Sequence, residues 1–218
     1  MPYDLFISYS RRDNERGQVT AMKAQIKSGF RAFAGRDLRV FFDTHEIAGM
    51  DDWRQKIQRS LRDSQVFLAV LSPQYLASPY CRWEREDYVC YEAMRQCISE
   101  GVAPVFFVTL PDAADRKTEQ ALARWIDEIH RRQTFDLRPW HDAGLCRAGV
   151  ASATQAGEQA LQQAHIRQTL EQLHTSVRER LNRPDLSDFP QFPQQPHQTE
   201  RRVRRSRGRT DRVAPWAE

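Results

Sequence analysis

The residues of this chain with the most chemical promise are Tyr80, Cys81 and Glu84, at i, i+1 and i+4 in the stretch SPYCRWE. On a helix, Tyr80 and Glu84 share one face, a turn apart. Near the amino terminus, YSRRD supplies two cations, Arg11 and Arg12. A ring can stack on a base, a carboxylate can hold ribose hydroxyls, and a guanidinium can hold phosphate. Such a set suits a dinucleotide. A third polar segment, DTHEIAGMD at 43–51, adds Asp43 and a glycine. Each group also has a plainer reading. Glu84 sits among Arg82, Arg85, Glu86 and Asp87, so composition alone makes it a solvated helix charge. Arg11 and Arg12 can be loop surface, Asp43 a turn cap, and Cys81 a small buried thiol rather than a nucleophile. Trp53 and Trp83 read as packing or interface residues.

Other chemistries find less support. The cysteines are Cys81, Cys90, Cys97 and Cys146; none forms a C-x-x-C pair, and no histidine stands at metal-ligand spacing. Free thiols and no metal site are expected. His141 follows Arg138-Pro139-Trp140, and nothing in the sequence pairs it with a base or metal. No apolar run approaches the ~20 residues of a membrane span, and the opening Met1-Pro2-Tyr3-Asp4 lacks signal-peptide stages. A soluble, cytoplasmic protein is the expectation. The net charge of +4 misleads. Residues 201–212 hold seven Arg and one Asp, or +6, so the rest of the chain sums to −2. The domain itself is therefore not expected to bind nucleic acid. The Arg-rich run reads either as a non-specific nucleic-acid contact or as a solvated tail.

These residues need a scaffold, and the pattern supplies one. Residues 3–9 (YDLFISY) read as a short buried strand, 15–34 as a helix through Val19, Met22, Ile26 and Phe30, and 38–42 as a second strand. Residues 52–62 read as a helix through Trp53, Ile57 and Leu61. The continuous apolar run 65–71 (QVFLAVL) is typical of a central parallel strand covered on both faces. Ser72-Pro73 and Ser78-Pro79 are cap-plus-first-turn signals, the second starting a helix to about residue 99. A strand at 103–109, a helix at 117–132, a strand at 134–137 and a helix at 156–182 follow. The last carries Leu170, Leu173, Val177 and Leu181 on one side. Alternating strands and helices imply an α/β fold, a flavodoxin-like five-stranded parallel sheet in order 2-1-3-4-5 with helices on both faces. Ligands of such sheets bind beyond the carboxyl ends of the strands, where strand order reverses. Here the loops after strands 1 and 3 meet there with the loop after strand 2 alongside, and they carry Arg11, Arg12, Asp43, Tyr80, Cys81 and Glu84.

At these positions the sequence resembles the TIR (Toll/interleukin-1 receptor) domain family over about residues 3–140. Three ordered motifs carry the resemblance: YDLFISYSRRD at 3–13, VFFDTHEIAGMDDWRQKI at 40–57 and LSPQYLASPYCRWE at 71–84. The S-x-x-C-x-x-E form at Ser78, Cys81 and Glu84 points to the bacterial and plant-like branch. The resemblance implies NAD+ cleavage with Glu84 as the catalytic carboxylate. It implies a pocket drawing on Tyr9, Ser10 and Arg11 after strand 1, on Asp43, Ile47 and Gly49 after strand 2, and on Tyr80, where the family usually has Trp. NAD+ would be the substrate, so no cofactor is expected. It further implies a glycohydrolase or cyclase, activated when TIR protomers assemble into a homo-oligomer or filament, in bacterial antiviral defence signalling and with a sensor or effector protein as partner.

The competing reading is a non-catalytic TIR–TIR interaction module or signalling adaptor; such domains commonly lack the glutamate. A receiver domain would want paired acids after strand 1, and Tyr9-Ser10-Arg11-Arg12 offers none. Residues 1–145 are expected to form the TIR domain and 146–183 a helical extension. Residues 184–218, with five of the eleven prolines and the Arg run, are expected to form a disordered tail.

Overall fold

A computed structural model describes residues 3–42, 53–94, 101–110, 125–129, 131–145 and 153–183. Its frame is a five-stranded, wholly parallel sheet in the order β2-β1-β3-β4-β5. The strands are β1 (Tyr3–Ser8), β2 (Val40–Phe41), β3 (Ser64–Leu71), β4 (Val102–Phe106) and β5 (Phe135–Asp136). Helices α1 (Gln18–Ala34), α2 (Trp53–Asp63), α3 (Pro73–Ala77) and α4 (Pro79–Met94) fill the first crossovers. Residues 125–129 are helical, and α5 (Arg138–Leu145) and α6 (Ala153–Leu181) close the chain. The fold class and strand order match the sequence expectation.

Side chains alternate across a strand, so each strand serves two cores. On one face Leu5, Ile7, Val66, Leu68, Val70 and Val105 pack against Val19, Met22, Ile26 and Phe30 of α1 and Leu173 and Val177 of α6. On the other, Phe6, Phe41, Phe67, Ala69 and Leu71 pack against Ile57 and Leu61 of α2 and Tyr75, Cys81 and Tyr88 beyond β3. The parallel register sets Phe6 beside both Phe41 and Phe67. Their rings stack at 4.9 and 5.6 Å, and Tyr88 continues the row from Phe67 at 5.0 Å. At the amino end of β1, Asp4 is buried yet accepts from Arg36 (2.9 Å), from the Arg39 guanidinium (2.9 Å) and from the Arg39 backbone amide (2.8 Å). Burial alone would raise its pKa; the donors from Arg39 and Arg36 outweigh burial and lower it.

Several local signals explain the boundaries. Asn14 accepts from the Thr20 amide near the start of α1. Gly17 and Gly35 flank that helix at φ +73° and +68°, a conformation that favours glycine. Ser72 caps α3 by accepting from the Tyr75 amide at 2.9 Å, and Ser78 accepts from the Cys81 amide at 3.3 Å, each followed by proline. Two features were not expected: a one-turn 3₁₀ helix at Arg11–Asn14, and the helix α5.

Helix α6 completes one layer of the sheet rather than standing off it. Leu173 is fully buried, and His174 donates from Nε2 to the Ile26 carbonyl at 3.1 Å, the only role a carbonyl leaves it. Close approach there depends on Gly29. A Cβ at Gly29 would stand 2.2 Å from His174 Cε1. Gly29→Ala should therefore push α6 off α1 and cost about 1–3 kcal/mol, read as a fall in the urea midpoint. His174 also gives the domain a pH response. Burial lowers its pKa, against the smaller opposing effects of the Ile26 carbonyl and Glu171. Between that depressed folded value and the unfolded value of about 6.5, the unfolded chain binds the extra proton. Stability should hold above about pH 6.5 and fall as the pH drops below it. Urea midpoints at several pH values should show a shallower acid loss in His174→Gln than in the wild type.

Candidate functional site

The carboxyl end of β1 is where the polar residues gather. Phe6 faces the α2–α4 side, so Ser8, two residues on, faces it too. Ser8 is buried and pairs with Ala69 of β3, a small neighbour. Glu84 and Tyr75, from the segments after β3, reach the Ser8 hydroxyl, and the Cys81 thiol is hydrogen-bonded to Ser8 as well. Its Oγ donates to Glu84 Oε2 at 2.5 Å, and the Tyr75 hydroxyl lies 3.2 Å from the same oxygen. Ser8 has one proton. With that proton given to the carboxylate, the phenol donates to Ser8. Tyr75 is fully buried and stacks on Trp125 at 5.5 Å. Arg85, next to Glu84, lies over the other component of that stack: its Cζ is 4.7 Å from the Trp125 ring, and it pairs with Glu128 at 2.9 Å.

Two further bonds tie the loop after β1 to the segment after β3. Ser72 donates to Asp13 Oδ2 at 2.5 Å while accepting from the Tyr75 amide, and Arg12 donates to Gln74 Oε1 at 3.2 Å. Burial raises the pKa of Asp13, more than the Ser72 hydroxyl and the neighbouring His141 lower it. Cys81 is buried close by, and its thiol is pushed up to about 12, first by burial and then by the Glu84 carboxylate. A thiol that stays protonated at neutral pH is no nucleophile; it is the small buried thiol of the plainer sequence reading.

The sequence-derived residues divide accordingly. Glu84 meets Ser8 at the carboxyl end of β1, and the loop after β1 is tied to Ser72 and Gln74 after β3. Ser10 is buried at the start of the 3₁₀ turn, its carbonyl accepting from the Asp13 amide, and Arg11 is exposed at that turn's first position. Tyr9 faces the opposite side of the sheet, stacked on Phe42 at 4.7 Å. Tyr80 is about half exposed (55%) and meets Trp53 of α2 edge-on at 5.4 Å, while Trp83 meets the same indole at 6.5 Å. Asp43, Ile47 and Gly49 lie outside the described residues. Sequence reasoning missed Ser8 and Tyr75. The available signal was parity: a serine at a buried strand position, on the face that also carries Phe6, needs a polar partner.

Comparison with known proteins adds the family. The sequence matches the family profile described as TIR domain over residues 5–148, more than half of the chain. The chain belongs to the TIR domain family. No curated protein matches it. Among solved structures, it is similar to the TIR domain of the Toll-related receptor TRR-2 from the lower metazoan Hydra magnipapillata, at 13% identity and TM-score 0.36, covering 60% of this chain and 99% of that one. It is also similar to the TIR domains of the activated Roq1 resistosome, a structure described as directly recognizing the pathogen effector XopQ. There the identity is 16% and the TM-score 0.45, with 78% of this chain and 99% of that one covered. At such scores the family rests on the sequence profile and the fold on the observed strand order. No helix among the described residues of this TIR domain is long and apolar enough to cross a membrane.

The buried thiol gives a direct check of the site's packing. At pH 8, iodoacetamide should label the exposed Cys90 in the folded protein and spare Cys81 until denaturant is added. Peptide mapping by mass spectrometry reads both, and rapid Cys81 labelling without denaturant would contradict the packing described.

Proposed function

We propose that this TIR domain cleaves NAD+ at the bond between nicotinamide and ribose, with Glu84 as the catalytic carboxylate. The observation that carries the reading is the place of Glu84: a partly exposed carboxylate at the carboxyl ends of β1 and β3, held there by Ser8. This is where parallel sheets of this order bind ligands. Membership of the TIR family supports it, because the S-x-x-C-x-x-E glutamate of NAD-cleaving members falls on Glu84.

One carboxylate suffices for this chemistry. Nicotinamide attached to ribose is cationic and leaves as a neutral molecule, so no general acid has to protonate it. Positive charge develops on the ribose as the bond breaks, as in the oxocarbenium-like transition states of glycoside cleavage. A fixed anion within reach stabilises that charge at little reorganisation cost. The same carboxylate can orient the ribose by accepting from its hydroxyls. Attack by water gives ADP-ribose; attack from within the dinucleotide gives a cyclic product. In this reading Arg11, exposed at the turn after β1, and Ser10 face the phosphates, and Tyr80 offers a ring beside α2. Asp43, Ile47 and Gly49 belong to the same reading through the family motif. Assembly of TIR protomers would complete the pocket, and bacterial antiviral defence is the setting the resemblance implies.

The test is NAD+ loss and nicotinamide release by wild type, Glu84→Gln and Glu84→Ala at high protein concentration or under crowding. Wild type should turn over, and either variant should lose on the order of 100-fold or more. Equal turnover in Glu84→Gln would remove Glu84 from this role. Inactivity of the wild type in every assembled state would favour the adaptor reading.

A further inference from the structure

We infer that Ser8 and Tyr75 form a hydroxyl chain that positions Glu84 through one of its carboxylate oxygens. The inference rests on the proposed role of Glu84 for its functional meaning, but its geometry stands on its own. The chain runs from the Tyr75 phenol to Ser8 Oγ at 3.2 Å and from Ser8 to Glu84 Oε2 at 2.5 Å. Its direction is fixed by proton count. A carboxylate only accepts, so the single Ser8 proton points to Glu84, and the lone pairs of Ser8 are left to receive the phenolic proton.

Both hydroxyls are sealed from water. Ser8 is 1% exposed and so is Tyr75. A buried hydroxyl without a partner is costly, which holds each in its geometry. Successive hydroxyl donors also polarise one another, so the phenol strengthens the bond that Ser8 makes to Glu84. Tyr75 is in turn fixed at both ends. Its amide is capped by Ser72, and its ring is stacked on Trp125, which lies under the Arg85 guanidinium. The carboxylate is thus attached to the strand end through Ser8 and to the 125–129 segment through Tyr75. Neither hydroxyl is placed to contact substrate in this scheme. They are positioning residues, acting through Glu84.

The outcome that separates positioning from packing is the behaviour of the hydroxyls alone. Tyr75→Phe keeps the ring on Trp125 and removes only the oxygen. Ser8→Ala removes the donor to Glu84, and Ser8→Thr restores it on a side chain suited to a strand. In the NAD+ cleavage assay, Ser8→Ala should lower kcat about 10- to 100-fold with KM changed less than threefold, and Tyr75→Phe should lower kcat about 3- to 10-fold. The double variant should match Ser8→Ala alone, because the phenol acts only through Ser8. Ser8→Thr should recover most of the rate.

A second measurement needs no turnover. In protein labelled with ¹³C at glutamate carboxyls, the Glu84 resonance at pH 7 should move in Ser8→Ala, move in the same direction but less in Tyr75→Phe, and return in Ser8→Thr. An unmoved Glu84 resonance in Ser8→Ala and Tyr75→Phe would overturn the chain, as would additive losses in the double variant. If the wild type cleaves no NAD+ in any assembled state while the resonance shifts as described, the proposed function fails and the positioning chain stands.

Discussion

The structure turns on the burial of β1 and β3 on both faces. A strand covered on both sides leaves little of itself to water, so its inner side chains are committed to one of two cores by parity. Odd residues of β1, Leu5 and Ile7, face α1 and α6; even residues, Asp4, Phe6 and Ser8, face the other way or the strand's edge. Phe6 satisfies that second face with a row of stacked rings. Asp4 and Ser8 cannot, and each draws its own partners. At the amino end two arginines converge on Asp4. At the carboxyl end Glu84 and Tyr75 converge on Ser8. The sheet therefore carries one polar cluster at each end of one strand, and only the carboxyl-end cluster lies where ligands of such sheets bind.

The two clusters differ in which groups are pushed toward the charged form and which toward the neutral one. Asp4, ringed by donors, is pushed toward its charged form, whereas Asp13 and Cys81 are pushed toward their neutral forms by burial. A neutral thiol beside Glu84 adds bulk without adding charge. The Asp13–Ser72 and Arg12–Gln74 bonds span from the loop after β1 to the segment after β3, so the two sides of the switch point are tied directly and not only through the sheet. A carboxylate attached to a strand and bracketed by such ties pays little to reorganise as charge develops, which is the condition for electrostatic catalysis.

Much of this was legible in the sequence, and the parts that were not share a cause. The apolar run at 65–71, the stripe Val19–Met22–Ile26–Phe30 and the Ser-Pro caps at 72 and 78 are local patterns, and the structure repeats them. Glu84 was legible from its motif. Ser8 was not, because its partners lie 67 and 76 residues away and only register and parity bring them together. Tyr80 shows the converse limit. Helical spacing put it on one face with Glu84, but spacing does not say which neighbour takes the ring, and Trp53 of α2 does. Helix α5 was obscured by Pro139 near its start and Gly144 near its end. In α6 the inner face mixes Ile166, Leu173 and Val177 with buried Thr169, His174 and Arg180, so its apolar stripe understates how much of it is covered.

That mixed face separates two tasks across the sheet. The α1–α6 side is a packing layer, locked where His174 enters the space left by Gly29. The α2–α4 side holds the carboxylate. Helix α1 runs away from the carboxyl end of β1, and near its far end Phe33 lies under Arg178 of α6, 5.1 Å from ring centre to guanidinium. The last turn of α6 therefore sits toward the amino ends of the strands. The described chain reaches residue 183 on the face of the sheet away from Glu84 and near the opposite end of the strands. A segment joined at that point starts with the sheet between itself and the carboxylate.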